Sequence, residues 1–300
     1  MSRSLCFTIV APAGFATDPA AIDRAESLLT RMGHRVKCDA TARSRFQRFS
    51  APDDERLAAI ARVAADPETD VAVTVRGGYG FTRLIGRIDY AALSRARARW
   101  MGHSDFTAFA LAALAKAGLV TFAGPMAAYD FGALEPSAFT LANCFGVLEN
   151  DAWEVECALD GPARARCAGT LWGGNLSLVV HLVGTPYFPD VAGGILFLED
   201  VAEAPYAVER MLHQLLHAGV LAKQRAVLLG AFTEYTLHAS DAGYDLGAAI
   251  AQLRGQVNVP IYAGLPFGHV PGKLTLPVGG RCALDVRDGS AKLTLSGYRG

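Results

Sequence analysis

The sequence predicts an α/β protein whose first half forms a parallel sheet with helices on its faces. Short buried runs of β-type residues, such as Phe7–Ala11 and Val71–Val75, alternate there with helical patterns such as Asp18–Met32. This alternation indicates βαβ units. Because 300 residues suffice for two domains of about 150 residues each, we expect a second domain in the other half.

The elements of the first half follow in a regular order. Apolar residues at helical spacing end at Gly33, and a second helix begins after Pro52. Two of the predicted strands lead into small residues, at Gly77 and at Gly102. These positions lie at the carboxyl ends of the strands, where open α/β sheets bind ligands. We expect strands at Phe7–Ala11, Arg35–Cys38 and Val71–Val75 and through Trp100 and Met101, with helices at Asp18–Met32, Asp53–Ala65 and Phe106–Ala117.

The second half has a different, strand-rich pattern. Regular alternation fades after Pro136, where residues 137–149 have the pattern of a strand or an extended linker. We therefore expect an α/β domain over 1–135, a linker region over 136–165 and a β-rich α+β domain over 166–300. Strands are expected near Glu154–Ala158, Ala165–Thr170, Ile195–Leu198, Ala226–Gly230 and Val259–Ala263, antiparallel strands in the last thirty residues, and helices from Leu176 and over Pro205–Ala218.

Composition restricts the class of partner. The chain has 28 basic and 29 acidic residues, so its net charge of -1 gives no electrostatic footprint for nucleic acid or an anionic membrane. No uncharged apolar stretch reaches the roughly 18 residues of a membrane span, and the apolar run before Pro12 is expected to be a strand rather than a signal peptide. Six cysteines without regular spacing indicate reduced thiols in a cytoplasmic protein. We expect a small molecule or peptide as partner.

The run from Gly102 to Asp105 has the form of a nucleophile elbow. Small residues permit a tight turn between strand and helix, and Ser104 is held at the helix N-terminus. The amide after the serine then points at an oxyanion. The alternative is that Ser104 only caps the helix.

The glycine-rich run Arg76–Gly80 follows another predicted strand. Its adjacent glycines let backbone amides approach a ligand closely and furnish a second oxyanion donor. It lacks the Lys-Ser/Thr of a P-loop and the spacing of a dinucleotide fingerprint. A phosphate cradle and a plain structural turn remain open.

A histidine and two carboxylates complete the candidate site. His269 follows a predicted strand on a loop, and imidazole titrates near neutrality, as a general base requires. Glu199 and Asp200 end another strand, where only one of two adjacent side chains can face the site. The alternatives are a surface histidine and acids that cap the following helix.

Six motifs in order resemble the LD-carboxypeptidase family, which also contains hydrolases that give self-immunity to peptide-nucleotide antibiotics. They are Arg76–Gly80, Gly102–Thr107, Gly124–Met126, Trp172–Leu176, Leu198–Val201 and Pro266–His269. The resemblance implies a flavodoxin-like first domain, a β-rich second domain, a homodimer and neither metal nor cofactor. It implies Ser104 as nucleophile, His269 as base and Glu199 as orienting acid, with Glu203 as the alternative acid. The oxyanion donors would be the amides of Asp105 and of Gly77 or Gly78.

The family's substrate is a murein tetrapeptide, cut before its terminal D-Ala during peptidoglycan recycling. A free carboxylate calls for a cation, for which Arg76 is the candidate unless it pairs with Asp105. Trp172 and Tyr79 are candidate aromatic contacts, above all for the adenine of a nucleotide conjugate, and Asn175 is a further candidate contact. The resemblance thus leaves two hydrolase substrates open, and a non-catalytic sugar or nucleotide binding module is the alternative from another class.

Overall fold

The computed structural model describes residues 4–298 and confirms the predicted α/β class in its first sheet. Five parallel strands come from the first half of the chain: β1 (Cys6–Val10), β2 (Arg35–Cys38), β3 (Val71–Thr74), β4 (Arg99–Gly102) and β5 (Thr121–Ala123). Their order across the sheet is β5-β4-β3-β1-β2. This is the flavodoxin-like order, whose ligand site lies at the carboxyl ends of the strands.

Four helices connect these strands: α1 (Ala20–Arg31), α2 (Asp53–Ala65), α3 (Tyr90–Arg95) and α4 (Phe106–Ala117). The bounds of α2 and α4 coincide with those expected from the sequence. The first eight residues of α4 are all buried. A helix that is apolar on every side belongs in a protein interior, and α4 accordingly lies against elements of both sheets.

Residues 138–149 form a helix, α5 (Ala138–Glu149), so the expected strand or linker there is wrong. The Ser137 side chain accepts a hydrogen bond from Thr140 N at 3.3 Å and caps the helix. Gly146, which weakens a helical pattern in the sequence, is required by packing: a Cβ there would come within 2.4 Å of the Trp153 ring. Tertiary contact overrides local propensity here.

The second sheet is half parallel and half antiparallel. The helices and strands that follow α5 in the chain are β6 (Ala152–Ala158), β7 (Arg164–Asn175), α6 (Leu176–Leu182), β8 (Ile195–Val201), α7 (Pro205–His217), β9 (Ala226–Thr233), α8 (Leu246–Arg254), β10 (Ile261–Ala263), β11 (Leu276–Val278), β12 (Arg281–Arg287) and β13 (Ser290–Ser296). The order is β10-β9-β8-β7-β12-β13-β6, with β11 in the first sheet instead. Neither α8 nor β5 was expected from the sequence.

The last strand of the first sheet ties the two halves together. β11 pairs antiparallel with β5, so the chain returns to the first sheet after the loop that carries His269. The buried apolar side chains of both sheets form one continuous cluster. The division of the chain into two domains joined by a linker region over 136–165 stays a prediction. In that division β11 belongs to the second domain, although it lies in the first sheet. Within residues 4–298 no helix has the length and apolarity to cross a bilayer.

Candidate active site

Ser104 lies in a strained turn between β4 and α4. Its φ of +64° is in the left-handed region, which non-glycine residues seldom adopt outside functional turns. The turn needs Gly102, because a Cβ there would come within 2.2 Å of Thr74 Oγ1. The residue that precedes α4 is Asp105, and no side-chain hydrogen bond caps the helix there. Among the described residues no hydrogen bond joins the Ser104 side chain to α4, which speaks against the capping alternative, and Ser104 is half-buried.

The glycine run lies directly against Ser104. A Cβ placed on Gly77 would be 2.6 Å from Ser104 Cβ, 2.7 Å from its Oγ and 3.1 Å from the amide nitrogen of Asp105. Only glycine fits this approach. Gly78 has a φ of +90°, so it also holds a conformation that favours glycine. The two backbone segments expected to supply oxyanion donors are thus adjacent.

The Asp105 side chain holds the two segments together. It is 2% exposed and accepts a hydrogen bond from Phe81 N at 2.9 Å, at the end of the glycine run. Burial raises the pKa of Asp105 to about 6, against the lowering effects of the Phe81 amide and the Arg56 charge. The expected alternative, a pair between Asp105 and Arg76, is not formed. Among the described residues Arg76 has no acidic partner, and it lies beside Gly14 at the edge of the run.

His269 and Glu199 meet although 70 residues separate them. His269 Nδ1 and Glu199 Oε2 are 2.7 Å apart; the Glu199 side chain is fully buried and that of His269 is 13% exposed. A carboxylate only accepts, so Nδ1 carries the hydrogen and the other ring nitrogen is left as an acceptor. Glu203 lies beyond the end of β8 and forms no hydrogen bond or ion pair with His269 in the described chain.

Asn175 supports the acid instead of lining an open pocket. It is 3% exposed, and its Nδ2 donates to Glu199 Oε1 at 3.3 Å and to Asp200 Oδ1 at 2.7 Å. Its Oδ1 accepts from Leu178 N at 3.3 Å and so caps α6. The β7–β8 register places Asn175 opposite Glu199. Asn175 therefore holds the acid in place, which corrects its expected role as a substrate contact.

The two expected aromatic contacts lie in different surroundings. Trp172 is fully buried, and its Nε1 donates to Gln224 Oε1 at 2.9 Å. Trp172 is thus a core residue of β7 in this structure, and its expected role in substrate contact stays a prediction. Tyr79 is 40% exposed and has the Arg48 guanidinium 5.8 Å from its ring centroid. Tyr79 is thus the aromatic side chain of the glycine run that a ligand could reach.

A buried ion pair that was not expected from the sequence anchors the loop that carries His269. Lys273 Nζ lies 2.5 Å from Asp130 Oδ1, and the two side chains are 0% and 4% exposed. The other Asp130 oxygen accepts from Met126 N at 2.7 Å. Thr140 Oγ1 accepts from Lys273 N at 2.9 Å and donates to Pro271 O at 2.8 Å. No spacing signal links Asp130 to Lys273, because they are far apart in the chain and belong to different elements.

Ser104 and His269 are not hydrogen-bonded to each other in the described chain. The link between them is His103, whose ring centroid lies 5.2 Å from that of His269. Hydrogen bonds of catalytic pairs are often long in unliganded sites and tighten when substrate binds. Residues 4–298 contain no cluster of three or more His, Cys, Asp or Glu side chains suited to a metal ion.

Comparison with known proteins gives the family. The model of the LD-carboxypeptidase N-terminal domain matches residues 8–124, and that of its C-terminal domain matches 168–284. A "probable murein peptide carboxypeptidase" of Bacillus subtilis is 29% identical over 94% of this chain and 89% of its own. The solved muramoyltetrapeptide carboxypeptidase of Oxalobacter formigenes is 42% identical with a TM-score of 0.93, covering 98% of this chain and 100% of that one.

A more distant solved structure shares the fold. The microcin C7 self immunity protein MccF, solved with aspartyl sulfamoyl adenosine, is 20% identical with a TM-score of 0.87 over 100% of this chain and 98% of its own. That similarity concerns the fold alone. The two matched domain models together span most of the sequence. The chain belongs to the LD-carboxypeptidase family.

Proposed function

We propose that this protein is a serine carboxypeptidase that removes the terminal D-Ala from murein tetrapeptide. The observation that carries the proposal is the 2.7 Å contact between the buried Glu199 carboxylate and His269, whose ring lies against that of His103, the residue before Ser104. The 42% identity to a solved muramoyltetrapeptide carboxypeptidase supports the same substrate class.

The proposed reaction follows from the hydrogen bonding of His269. Glu199 holds the Nδ1 hydrogen, so the free nitrogen takes the proton of Ser104 Oγ as this oxygen attacks the carbonyl before D-Ala. The oxyanion is stabilised by the amides of Asp105 and of Gly77 or Gly78. The protonated His269 then gives its proton to the leaving amine of D-Ala. Water, deprotonated by His269, releases the peptide from Ser104.

Arg76 and Tyr79 are proposed to bind the substrate. Arg76 has no acidic partner among residues 4–298, so its charge is available to the terminal carboxylate of the peptide. Tyr79 is exposed on the same run and offers a ring face. Trp172 and Asn175 are left out of this set because both are buried.

We further propose a homodimer that acts in the cytoplasm on murein peptides recovered during peptidoglycan recycling. Both points rest on the family resemblance, and six scattered cysteines suit a reducing compartment. Light scattering on the purified protein tests the dimer.

A peptide-nucleotide conjugate is the weaker candidate substrate. Of the two side chains considered for stacking on adenine, Trp172 is buried and only Tyr79 is exposed. A non-catalytic binding module is weaker still, because the helix cap required of Ser104 is not made.

The test is a substrate panel followed by mass spectrometry. The peptide L-Ala-γ-D-Glu-meso-diaminopimelate-D-Ala is the expected substrate; its diastereomer ending in L-Ala is the matched control, and aspartyl sulfamoyl adenosine represents the alternative. We expect loss of alanine from the first peptide only. A mock purification from the same host excludes a contaminating hydrolase. Cleavage of the nucleotide conjugate alone contradicts the murein proposal.

A further inference from the structure

His103 is a second histidine in the site, and the roles proposed above leave it unused. It directly precedes Ser104 and is 2% exposed. Its ring meets three other rings edge to face: that of His269 at 5.2 Å between centroids and 79°, that of Tyr129 at 6.2 Å and that of Phe267 at 6.5 Å. Edge-to-face contact is the favoured geometry of neighbouring rings.

The two ring nitrogens of His103 have different surroundings. Nδ1 lies 2.9 Å from Gly124 O, and since a carbonyl only accepts, Nδ1 carries the hydrogen. Nε2 is buried and has no hydrogen-bond partner among the described residues. Because this nitrogen is sealed from solvent, neither water nor substrate reaches it in this conformation. It is poorly placed to move a proton during the reaction.

Burial and neighbouring charges favour the neutral form of the His103 ring. Burial, reinforced by the charges of Lys273 and of His269 when protonated, holds the pKa of His103 well below its ordinary value. The Gly124 carbonyl opposes this shift. Tyr129 is a further titratable group whose ring lies against that of His103. Apart from the hydrogen bond that Nδ1 donates to Gly124 O, a neutral, buried imidazole among other rings resembles a phenyl ring in shape.

We propose that His103 is a positioning residue for His269, acting as a neutral aromatic wall that fixes the plane of the catalytic imidazole. Glu199 holds the His269 ring by one hydrogen bond at Nδ1, which restrains rotation about the Cβ–Cγ bond of His269 only in part. The edge-to-face contact with His103 restrains that rotation and turns the second nitrogen toward Ser104. This inference rests on the role of His269 as base proposed above.

The test compares three variants in D-Ala release from the murein tetrapeptide. His103→Phe keeps the ring and should retain kcat within about threefold. His103→Ala removes the wall and should lower kcat by roughly thirtyfold or more with KM nearly unchanged, because small misplacements of a catalytic group are costly. His34→Ala is the matched control, since His34 is also buried and stacks on Phe145 at 4.9 Å. It should lose stability but little kcat.

Two further readouts do not depend on the substrate. The rate at which a fluorophosphonate modifies Ser104 should follow the same order of variants, so the inference survives even if murein peptide is not cleaved. Nitrogen-15 NMR of the folded wild-type protein should show His103 with hydrogen on Nδ1 and no titration between about pH 5 and 8. Equal loss in His103→Phe and His103→Ala, a His103→Ala kcat no lower than that of His34→Ala, or titration of His103 in this range would overturn the proposal.

Discussion

Glu199 and His269 form a buried hydrogen bond of 2.7 Å that joins β8 to the loop returning to the first sheet. The bond depends on Asn175, which donates to the other Glu199 oxygen at 3.3 Å. It also depends on Gly268, where a Cβ would lie 3.2 Å from Glu199 Oε2. The histidine therefore reaches the site through a loop shaped around the acid.

Glu199→Gln tests which acid orients His269. The amide has the shape of the carboxylate but can donate to Nδ1, so it permits the wrong tautomer of His269. We expect kcat for D-Ala release to fall by roughly 10²- to 10⁴-fold. Glu203→Gln is the control and should stay within about threefold of wild type. A greater loss in Glu203→Gln than in Glu199→Gln would assign the acid to Glu203.

Gly77→Ala tests the contact between the glycine run and Ser104. The new methyl group would occupy space 2.6 Å from Ser104 Cβ, so the run must move and its amide leaves the oxyanion position. We expect kcat to fall by about 10²-fold or more, as on loss of an oxyanion donor. Gly118→Ala is the control: its φ is +61° with open space around it, so it should cost stability and spare activity. Unchanged kcat in Gly77→Ala would exclude this run from the oxyanion site.

The raised pKa of Asp105 predicts a pH-dependent effect of Asp105→Asn on stability. Folding raises the pKa of this carboxyl from about 4 to about 6, so the folded state binds more protons in that range. The stability that the Asp105 carboxyl contributes to the wild-type protein is present at low pH and is lost as the pH rises through 6. Relative to wild type, Asp105→Asn should gain up to about 3 kcal/mol in the free energy of unfolding between pH 4 and 7.

Urea denaturation of both proteins at several pH values measures this difference. Because both carry the same other titrating groups, the difference isolates Asp105. A difference that is constant with pH, or that favours wild type as the pH rises, contradicts the buried carboxyl inferred here.

Lys273→Met tests the buried ion pair beneath the His269 loop. Removing the cation leaves the Asp130 carboxylate buried without its partner, so we expect the free energy of unfolding to fall by about 3–5 kcal/mol. The double variant Lys273→Met with Asp130→Leu leaves no uncompensated charge and should recover much of this loss. If the double variant is no more stable than Lys273→Met alone, the unpaired Asp130 charge is not the cause of the lost stability.

The sequence predicted the elements best where periodicity was clear. α2 and α4 have the expected bounds, and Ser104 and His269 follow strands as expected, whereas Glu199 lies within β8. Strand alternation alone could not decide which acid lies beside His269, and only the family resemblance indicated Glu199. A register irregularity between Leu198 and Asp200 alters the alternation of side chains there. Burial was also not predictable for Trp172, whose adjacent motif residues suggested a ligand contact. The long-range pair of Asp130 and Lys273 has no local signal at all.

In the proposed reaction Ser104 is the nucleophile and His269 is its base. The direct measurement is kcat/KM for D-Ala release from the murein tetrapeptide by wild type, Ser104→Ala and His269→Ala, with folding of each variant checked by circular dichroism. We expect both variants to lose nearly all activity, by roughly 10³-fold or more, and the double variant to lose no more than either single one. A folded Ser104→Ala protein that still releases D-Ala at a rate near that of wild type would contradict it.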